Sequence, residues 1–181
     1  MLPDGGVLYG AYTQYNGFRG HLMKFDAAGR FAGSFDFGEG MTAPVFPHGH
    51  TYSLITKDNH YVTEGPFFLT ELDANLHTQW QLANTSTQTC QRAPDGTISC
   101  TDDGQHANGF EWCISSPAID RNGTLYAVNE DGYLYAVDAQ GHALERVFLG
   151  KTIAEAYTPS AIDAAGRIYA QNNGQLYVLG H

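Results

Sequence analysis

The segment from Ser115 to Gly150 places four short apolar stretches between tight turns, and this pattern limits the possible folds more than any other feature of the sequence. Each turn contains a glycine, which adopts a positive φ without steric strain, and two of the three turns add Asn or Asp beside it. The pattern predicts four antiparallel strands. Their predicted bounds are Ser115–Ile119, Thr124–Asn129, Tyr133–Asp138 and Ala143–Phe148.

The predicted strands carry apolar residues on both faces of their sheet. Because side chains alternate along a strand, Leu125 and Ala127 point to one face and Tyr126 and Val128 to the other. A sheet that is apolar on both faces has to be covered on both faces. A stack of similar sheets provides that cover.

The same pattern recurs elsewhere in the sequence, which identifies it as a repeat. Asn122–Ala127 is echoed by Ala165–Ala170 and by Asp4–Tyr9, and Leu134–Asp138 is echoed by Leu22–Asp26, Phe68–Asp73 and Leu176–Leu179. The spacing and the turn chemistry together predict an all-β fold, a β-propeller of about four four-stranded antiparallel blades.

The repeats follow the pattern G-x-[LI]-Y-A…G-x-LY-x-[VL]-D-x-x-G over nearly all the chain except about residues 84–113. This pattern resembles that of the quinoprotein-type, or pyrroloquinoline-quinone-like, propeller family. The family usually ends a blade with a tryptophan that docks on the next blade. Only Trp80 stands at that spacing here, and Gly33 and Glu145 occupy the matching positions in two other repeats, so the repeats are degenerate.

The repeats predict a single domain over residues 1–181, with blades at about 1–38, 42–83, 115–150 and 157–181 and an insertion at 84–113. The first blade is predicted to lack most of its inner strand and the last its outer strand. We therefore expect a partial propeller, either an open arc or part of a seven- or eight-bladed ring. Its end blades would expose apolar faces that favour self-association. The residues expected on those faces are Val7, Tyr9, Leu22, Ile168, Leu176 and Val178.

Charge and hydropathy exclude two classes of partner. The formal net charge is −10 with only nine Lys and Arg residues, and an acidic surface repels the phosphate backbone, so we expect no nucleic-acid partner. No apolar run approaches the ~20 residues of a transmembrane helix, so we expect no membrane span. The first four residues resemble no signal peptide, because they have neither a basic start nor an apolar core.

One face of a propeller carries the loops between second and third strands and the connections between blades, and ligand sites are common on such loops. The polar and aromatic residues predicted on this loop face are candidates for ligand contact, although solvated loop positions would explain most of them. They are Tyr15, Arg19, Asp58, His60, Glu64, Asp102, Asp103, His106, Glu111 and Trp112.

No catalytic or metal-binding pattern stands out. His48-Gly49-His50 supplies two possible metal ligands without a third, and Asp102-Asp103-Gly104 lacks the alternating oxygen ligands of a calcium loop. Quinone-dependent enzymes of the resembled family typically stack the quinone on a disulfide between adjacent cysteines and hold a calcium ion beside an acidic base. This sequence has no Cys-Cys pair. We expect no cofactor, neither pyrroloquinoline quinone nor calcium, and no metal.

The insertion carries two structural predictions. The alternation of Phe110, Trp112 and Ile114 predicts a strand with these side chains buried on one face, against the alternative of an aromatic binding platform. Cys90 and Cys100 lie symmetrically about Asp95 in a predicted hairpin, so a disulfide between them is expected, with Cys113 as a buried thiol. Three reduced cysteines, or a bond from Cys113 to either of the others, remain alternatives.

Two functional interpretations follow. The first is a non-catalytic propeller scaffold or binding module of a periplasmic or extracellular protein, with a protein, small-molecule or carbohydrate ligand. The alternative is a fragment of a quinoprotein-like oxidoreductase, or another propeller enzyme, whose active site lies in other blades. The disulfide prediction favours an oxidising compartment in either case.

Overall fold

A computed structural model of the chain describes residues 2, 4–12, 19–39, 46–48, 53–58, 66–112, 117–154 and 158–180. These residues form only strands and turns, and they contain no helix long and apolar enough to cross a lipid bilayer. Every strand pairing is antiparallel. The predicted all-β class is therefore confirmed.

The described strands form four sheets of three or four strands and one separate hairpin, and the strands of each sheet are ordered as they follow in the sequence. The first sheet contains β1 (Val7–Tyr12), β2 (Arg19–Phe25) and β3 (Phe31–Glu39), and the second contains β4 (Phe46–His48), β5 (Ser53–Asp58), β6 (Phe68–Leu72) and β7 (Thr78–Ala83). The hairpin pairs β8 (Gln88–Arg92) with β9 (Ile98–Asp102). The third sheet contains β10 (Ala118–Ile119), β11 (Leu125–Val128), β12 (Tyr133–Val137) and β13 (Ala143–Phe148), and the fourth contains β14 (Ala161–Ile162), β15 (Ile168–Asn172) and β16 (Gln175–Leu179). We refer to the four sheets as blades 1 to 4.

Three apolar clusters join the blades in sequence order. Leu22 of blade 1 packs in a cluster with Leu72 of blade 2. Ile55 of blade 2 packs in a cluster with Leu125 and Ala127 of blade 3. On its opposite face, blade 3 places Val128 with the Ile168 and Ala170 of blade 4. Blade 3 is thus covered on both faces, as the alternation along β11 predicts.

Two of the six residues predicted on the open end faces are instead buried. Leu22 is 0% exposed and packs toward blade 2, and Ile168 is 8% exposed and packs toward blade 3. Their prediction was wrong because they lie on the inward face of their blade, opposite to the face of their exposed neighbours. The other four remain exposed, with Val7 at 44%, Tyr9 at 59%, Leu176 at 61% and Val178 at 50%.

The tryptophan docking that the resemblance implies is present for Trp80. Its indole Nε1 donates a hydrogen bond to the carbonyl oxygen of Ala139 in blade 3, at 3.2 Å. A Cβ atom added at Gly141 would lie 2.6 Å from the Trp80 ring. The turn between β12 and β13 therefore needs glycine at this position both for its φ of 83° and for the space that Trp80 fills.

Among the described turns, five begin with an aspartate that makes the same contacts in each. Its Oδ1 accepts backbone hydrogen bonds from the residues two and four positions later, as Asp138 does from Gln140 and His142 at 2.9 and 2.8 Å. The five aspartates are Asp26, Asp73, Asp120, Asp138 and Asp163. These contacts satisfy backbone donors that strand pairing leaves free at the turn.

These turns predict a loss of stability in acid. The backbone amide of Arg167 and its guanidinium lower the pKa of Asp163 to about 2, and the corresponding amide contacts lower the pKa of Asp26, Asp73 and Asp138. A folded-state pKa below the unfolded value of about 3.9 stabilises the fold above that value, and the contribution is lost as the pH falls through the folded pKa. Urea unfolding measures the free energy of unfolding of the wild type and of Asp163→Asn. The difference between the two values should become smaller from pH 4 to pH 2. A difference that stays constant over this range would contradict the prediction.

Candidate functional site

The insertion between blades 2 and 3 makes hydrogen bonds to the loops of blade 3. Its hairpin lies against the connection that follows β13. The amide of Arg92 donates to the Gly150 carbonyl at 2.8 Å, and the amide of Thr152 donates to the Cys90 carbonyl at 3.0 Å. The hydroxyl of Thr152 accepts from the Cys90 amide at 2.7 Å and donates to the Asp131 carbonyl at 3.1 Å. The insertion is therefore a docked part of blade 3 rather than a free loop.

The structure pairs Cys90 with Cys100, as the hairpin symmetry predicts. The two residues are directly opposed in the register of β8 and β9, with their Cα atoms 4.1 Å apart. Cys90 is buried where the hairpin meets Thr152, and Cys100 lies on the exposed strand. Cys113 lies outside the described residues, so its predicted burial stays a prediction.

The disulfide should stabilise the docked hairpin. The bond closes a sequence separation of 10 residues, and loop-closure entropy for a loop of that length corresponds to about 2–3 kcal/mol. We expect reduction, or the double substitution Cys90→Ala and Cys100→Ala, to lower the free energy of unfolding by about this amount. Cys113→Ser is the control, and a chain with this substitution should lose the same free energy of unfolding on reduction as the wild type. Thermal unfolding with and without reductant measures the effect, and peptide mapping without reduction checks the pairing. A disulfide peptide that contains Cys113 would contradict it.

A buried polar network lies next to the insertion. Asn84, Asp131 and Tyr135 are all buried. The Asn84 amide donates to Asp131 Oδ2 at 3.0 Å and lies 3.3 Å from the Tyr135 hydroxyl oxygen, and that hydroxyl donates to Asp131 Oδ2. Asn84 Oδ1 also accepts from the amide of Phe110 at 3.1 Å. The network ties the end of blade 2, the insertion and blade 3 together.

Burial dominates the electrostatics of this network. Desolvation raises the pKa of Asp131 above its usual range, although the hydrogen bonds from Tyr135 and Asn84 oppose the shift. Desolvation, together with the neighbouring Asp131 carboxyl, also raises the pKa of Tyr135, so its hydroxyl keeps its proton and donates. The Tyr135 hydroxyl therefore links Asn84 and Asp131 through hydrogen bonds.

A cleft of about 530 Å³ opens above this network, between the end of blade 2 and the outer strands of blade 3. Trp112 and Tyr135 line it, together with Arg146, which is paired with Tyr135 in the register of β12 and β13. The Arg146 guanidinium lies 4.4 Å from the centroid of the Tyr133 ring and donates through Nη1 to the Tyr135 hydroxyl at 3.4 Å. The segment 82–88 supplies the remaining wall, with hydroxyl and amide side chains.

Three of the predicted candidates lie close together, Asp102 at the end of β9 and Asp103 and His106 in the loop that follows. Asp103 accepts hydrogen bonds from the amides of Gln105 and His106 at 2.9 and 3.2 Å, and from the Thr89 hydroxyl at 2.8 Å. Its Oδ2 also lies 2.6 Å from His106 Nδ1. These contacts, led by the Gln105 amide, hold the pKa of Asp103 well below its usual range. Asp102 accepts from the Gly104 amide at 3.0 Å. The carboxylates hold the loop, as turn chemistry suggests.

Glu111 and Trp112 lead from this loop back into blade 3. The carbonyl of Glu111 accepts from the amide of Glu130, and Trp112 forms a β-bridge with Asn129. Trp112 is 2% exposed, so its predicted burial is confirmed. The predicted strand is not formed over the described residues 110–112, where Trp112 makes an isolated bridge, and Ile114 lies outside the described residues. Phe110 is likewise buried, and its ring stacks on His106 with centroids 3.9 Å apart.

The remaining candidates lie elsewhere. Arg19 begins β2 and forms a two-point ion pair with Asp36, with Nε–Oδ2 and Nη2–Oδ1 distances of 2.7 and 2.9 Å. Asp58 ends β5, and only its backbone is described. Tyr15, His60 and Glu64 lie outside the described residues. Of the possible metal pair, His48 ends β4 with only its backbone described, and His50 lies outside the described residues. In the described part of the chain, no three His, Cys, Asp or Glu side chains form a group that could hold a metal ion.

Sequence reasoning missed the residues that build the cleft. Arg146 follows Glu145 on an exposed outer strand, and Tyr135 belongs to the repeated Leu-Tyr pair, so neither differs locally from a structural residue. The one signal in the sequence was that Arg146 is among only nine Lys and Arg residues in an acidic chain. The contact to Asn84, 51 positions before Tyr135, is set by the stacking of blades.

No protein-family model matches the sequence, and no curated protein matches it either. Among solved structures, it is similar to BamB from Moraxella catarrhalis, with 16% identity and a TM-score of 0.37 over 97% of this chain. It is also similar to the C-terminal WD40 domain of Sif2, with 11% identity and a TM-score of 0.32 over 99%, and to a protein of unknown function from Bacteroides caccae, with 11% identity and a TM-score of 0.32 over 91%. The chain spans 57%, 58% and 63% of those three chains. These similarities are distant, and the description of the fold rests on the strand pairing and the blade packing.

Proposed function

We propose that this chain is a non-catalytic propeller scaffold and binding module of an extracytoplasmic protein. The observation that carries the proposal is that both end blades expose the apolar positions with which neighbouring blades pack elsewhere in the chain. Two such apolar faces favour packing against further blades.

The exposed face of blade 4 corresponds to a buried face of blade 3. In the repeat, Leu176 stands at the position of Leu134. Leu134 is buried in the cluster that contains Ile168 and Ala170 of the next blade. Leu176 is exposed and is followed two residues later on the same face by the exposed Val178. Blade 4 thus presents the forward half of a blade interface.

The exposed face of blade 1 is the complementary half. Val7 and Tyr9 stand at the repeat positions of Leu125 and Ala127. In blade 3, Leu125 and Ala127 are buried against blade 2, the preceding blade. In blade 1, Val7 and Tyr9 are exposed. The partner that best fits either end face is therefore another propeller blade, from a second copy of this chain or from a longer ring.

The disulfide supports a periplasmic or extracellular location. Such bonds persist in oxidising compartments and are uncommon in the cytosol. The sequence resemblance to quinoprotein-type repeats supports the propeller part of the proposal, but fold alone does not confer oxidoreductase activity.

Reconstitution separates the scaffold from an oxidoreductase. The purified chain would be incubated with pyrroloquinoline quinone and calcium and then assayed by dye reduction with simple alcohols and aldose sugars as electron donors. We expect no turnover above a control in which the chain is heat-denatured, and no shift in melting temperature on addition of the quinone. Turnover that saturates with quinone and is lost on calcium chelation would overturn the non-catalytic proposal.

A further inference from the structure

Arg146 differs from three other arginines of the described structure in what it contacts. Arg19 pairs with Asp36, Arg30 with Asp26 and Arg167 with Asp163, each at 3.1 Å or less. Arg146 instead contacts two tyrosines, Tyr133 through its face and Tyr135 through Nη1. Arg146 is thus held by two tyrosines and makes no direct ion pair with a carboxylate of the described residues.

The contacts of Arg146 orient its guanidinium before any ligand arrives. The ring of Tyr133 supports one face of the group at 4.4 Å. The Tyr135 hydroxyl, held in place by its donation to the buried Asp131, accepts from one terminal nitrogen. A planar guanidinium with five donors retains others after this bond. A fixed side chain loses little conformational entropy on binding, which favours affinity.

The cleft beside Arg146 suits a small anion. None of the described residues that line it is an aspartate or a glutamate, and its volume of about 530 Å³ is within the range of small-molecule sites. Thr85, Thr87 and Gln88 add neutral hydrogen-bonding side chains to the wall. The Asp131 carboxyl lies behind Tyr135 and is fully buried, so it does not face the cleft.

We propose that the cleft between blades 2 and 3 binds a small carboxylate ligand, with Arg146 as the carboxylate-binding residue and Tyr133 and Tyr135 as positioning residues. This deepens the proposed function, because it names a ligand class for the binding module. A single guanidinium binds a carboxylate through two parallel hydrogen bonds and balances its single charge. The same guanidinium would leave one charge of a phosphate dianion without a partner. A sugar site would need an exposed aromatic face, and the two aromatic rings that line the cleft, Trp112 and Tyr135, are buried.

The test is a nuclear magnetic resonance titration of the labelled full chain with acetate, succinate and benzoate. Succinamide is the neutral control, and inorganic phosphate is the competing anion. We expect at least one carboxylate to give saturable shifts at the Arg146 side chain and in the segment 82–88. Arg146→Gln should weaken that binding about tenfold or more, since a charge-assisted bidentate contact is lost. Arg121→Gln, which changes an arginine outside this cleft, should leave it unchanged.

Several outcomes would overturn the proposal. These are no saturable shift with any of the three carboxylates, equal binding of succinamide, tighter binding of phosphate than of every carboxylate, and unchanged affinity in Arg146→Gln. If Arg146→Gln does not fold, Arg146→Lys replaces it, because it keeps the charge but loses the planar fork, and unchanged affinity there also overturns the proposal. A failure of carboxylate binding leaves the scaffold proposal standing, because quinone turnover and self-association test that proposal separately.

Discussion

Replacing Trp112 with alanine should lower the free energy of unfolding by about 3–5 kcal/mol, the range for removing a large buried aromatic side chain. The Trp112 ring lies in the cluster between blades 2 and 3, with its centroid 5.2 Å from that of Tyr135. Its Nε1 also donates to the Phe67 carbonyl at 3.2 Å. The substitution therefore removes a packing contact and leaves a buried carbonyl without its donor.

The matched variant for this experiment is Trp112→Phe. It keeps most of the ring volume but loses the hydrogen bond to Phe67, so we expect a smaller loss of about 1–2 kcal/mol. Urea denaturation monitored by circular dichroism gives both values. A loss below about 1 kcal/mol for Trp112→Ala would contradict the prediction, because it would show that this cluster does not hold blades 2 and 3 together.

Replacing Gly141 with alanine should be much more damaging than the same substitution in the equivalent turn of blade 1. The residue has a φ of 83°, which disfavours a side chain by about 1–2 kcal/mol. The new methyl group would also lie 2.6 Å from the Trp80 ring, and overpacking typically adds about 1–3 kcal/mol. We expect a total loss of about 2–5 kcal/mol in the free energy of unfolding, the sum of these two ranges.

Blade 1 offers a matched control for Gly141 in the equivalent turn. Gly29 has a φ of 77°, but a Cβ atom there would meet nothing within 4 Å. Gly29→Ala should therefore show the effect of the positive φ alone. In a Trp80→Ala background the Gly141→Ala loss should fall to the Gly29→Ala value, because the clashing ring is gone. An unchanged Gly141→Ala loss in that background would rule out the docking of Trp80 as its cause.

The repeated strands could be predicted from the sequence because their signals are local. In blade 3, β13 has the predicted bounds, and β11 and β12 are each within two residues of the prediction. The alternation of Leu125, Tyr126, Ala127 and Val128 also gave the correct faces, since side-chain direction in a strand follows from residue spacing. The turn aspartates contact residues two and four positions later, and Cys90 is paired with Cys100 within one hairpin. These features also depend on residues close together in the sequence.

The faces of the end blades were predicted less well. Leu22 and Ile168 were chosen for their place near the ends of the sequence, but each lies on the face that packs inward. The repeat itself contained the correction. Leu22 matches Leu134, which faces the following blade, and Ile168 matches Leu125, which faces the preceding blade, so both belong on inward faces. Which face of a blade is covered depends on its neighbours as well as on its own alternation.

Leu76 shows a different limit of sequence reasoning. It stands where the other four aspartate turns have glycine, and it adopts a φ of 67°. No local rule favours leucine in that conformation. Its side chain is buried in the cluster between blades 1 and 2, so packing between blades offsets the backbone strain.

The candidate site could be predicted least. The loop carboxylates Asp102 and Asp103 were identified as candidates, yet their contacts serve the loop itself. The cleft depends on Asn84, Tyr135 and Arg146, which come together only after blade 2, the insertion and blade 3 have packed. Their types and spacing carry no motif, so a three-dimensional arrangement was needed to find them.

Light scattering coupled to size-exclusion chromatography tests the central claim, that the two end faces are the complementary halves of one blade interface. We predict association that increases with protein concentration and is suppressed by Leu176→Glu or by Val178→Lys. Leu144→Glu is the control, because it places the same charge on a residue of blade 3 that is similarly exposed, at 60%, and should leave association intact. A wild-type chain that stays monomeric at every concentration and unfolds cooperatively would contradict the claim, as would equal suppression by Leu144→Glu.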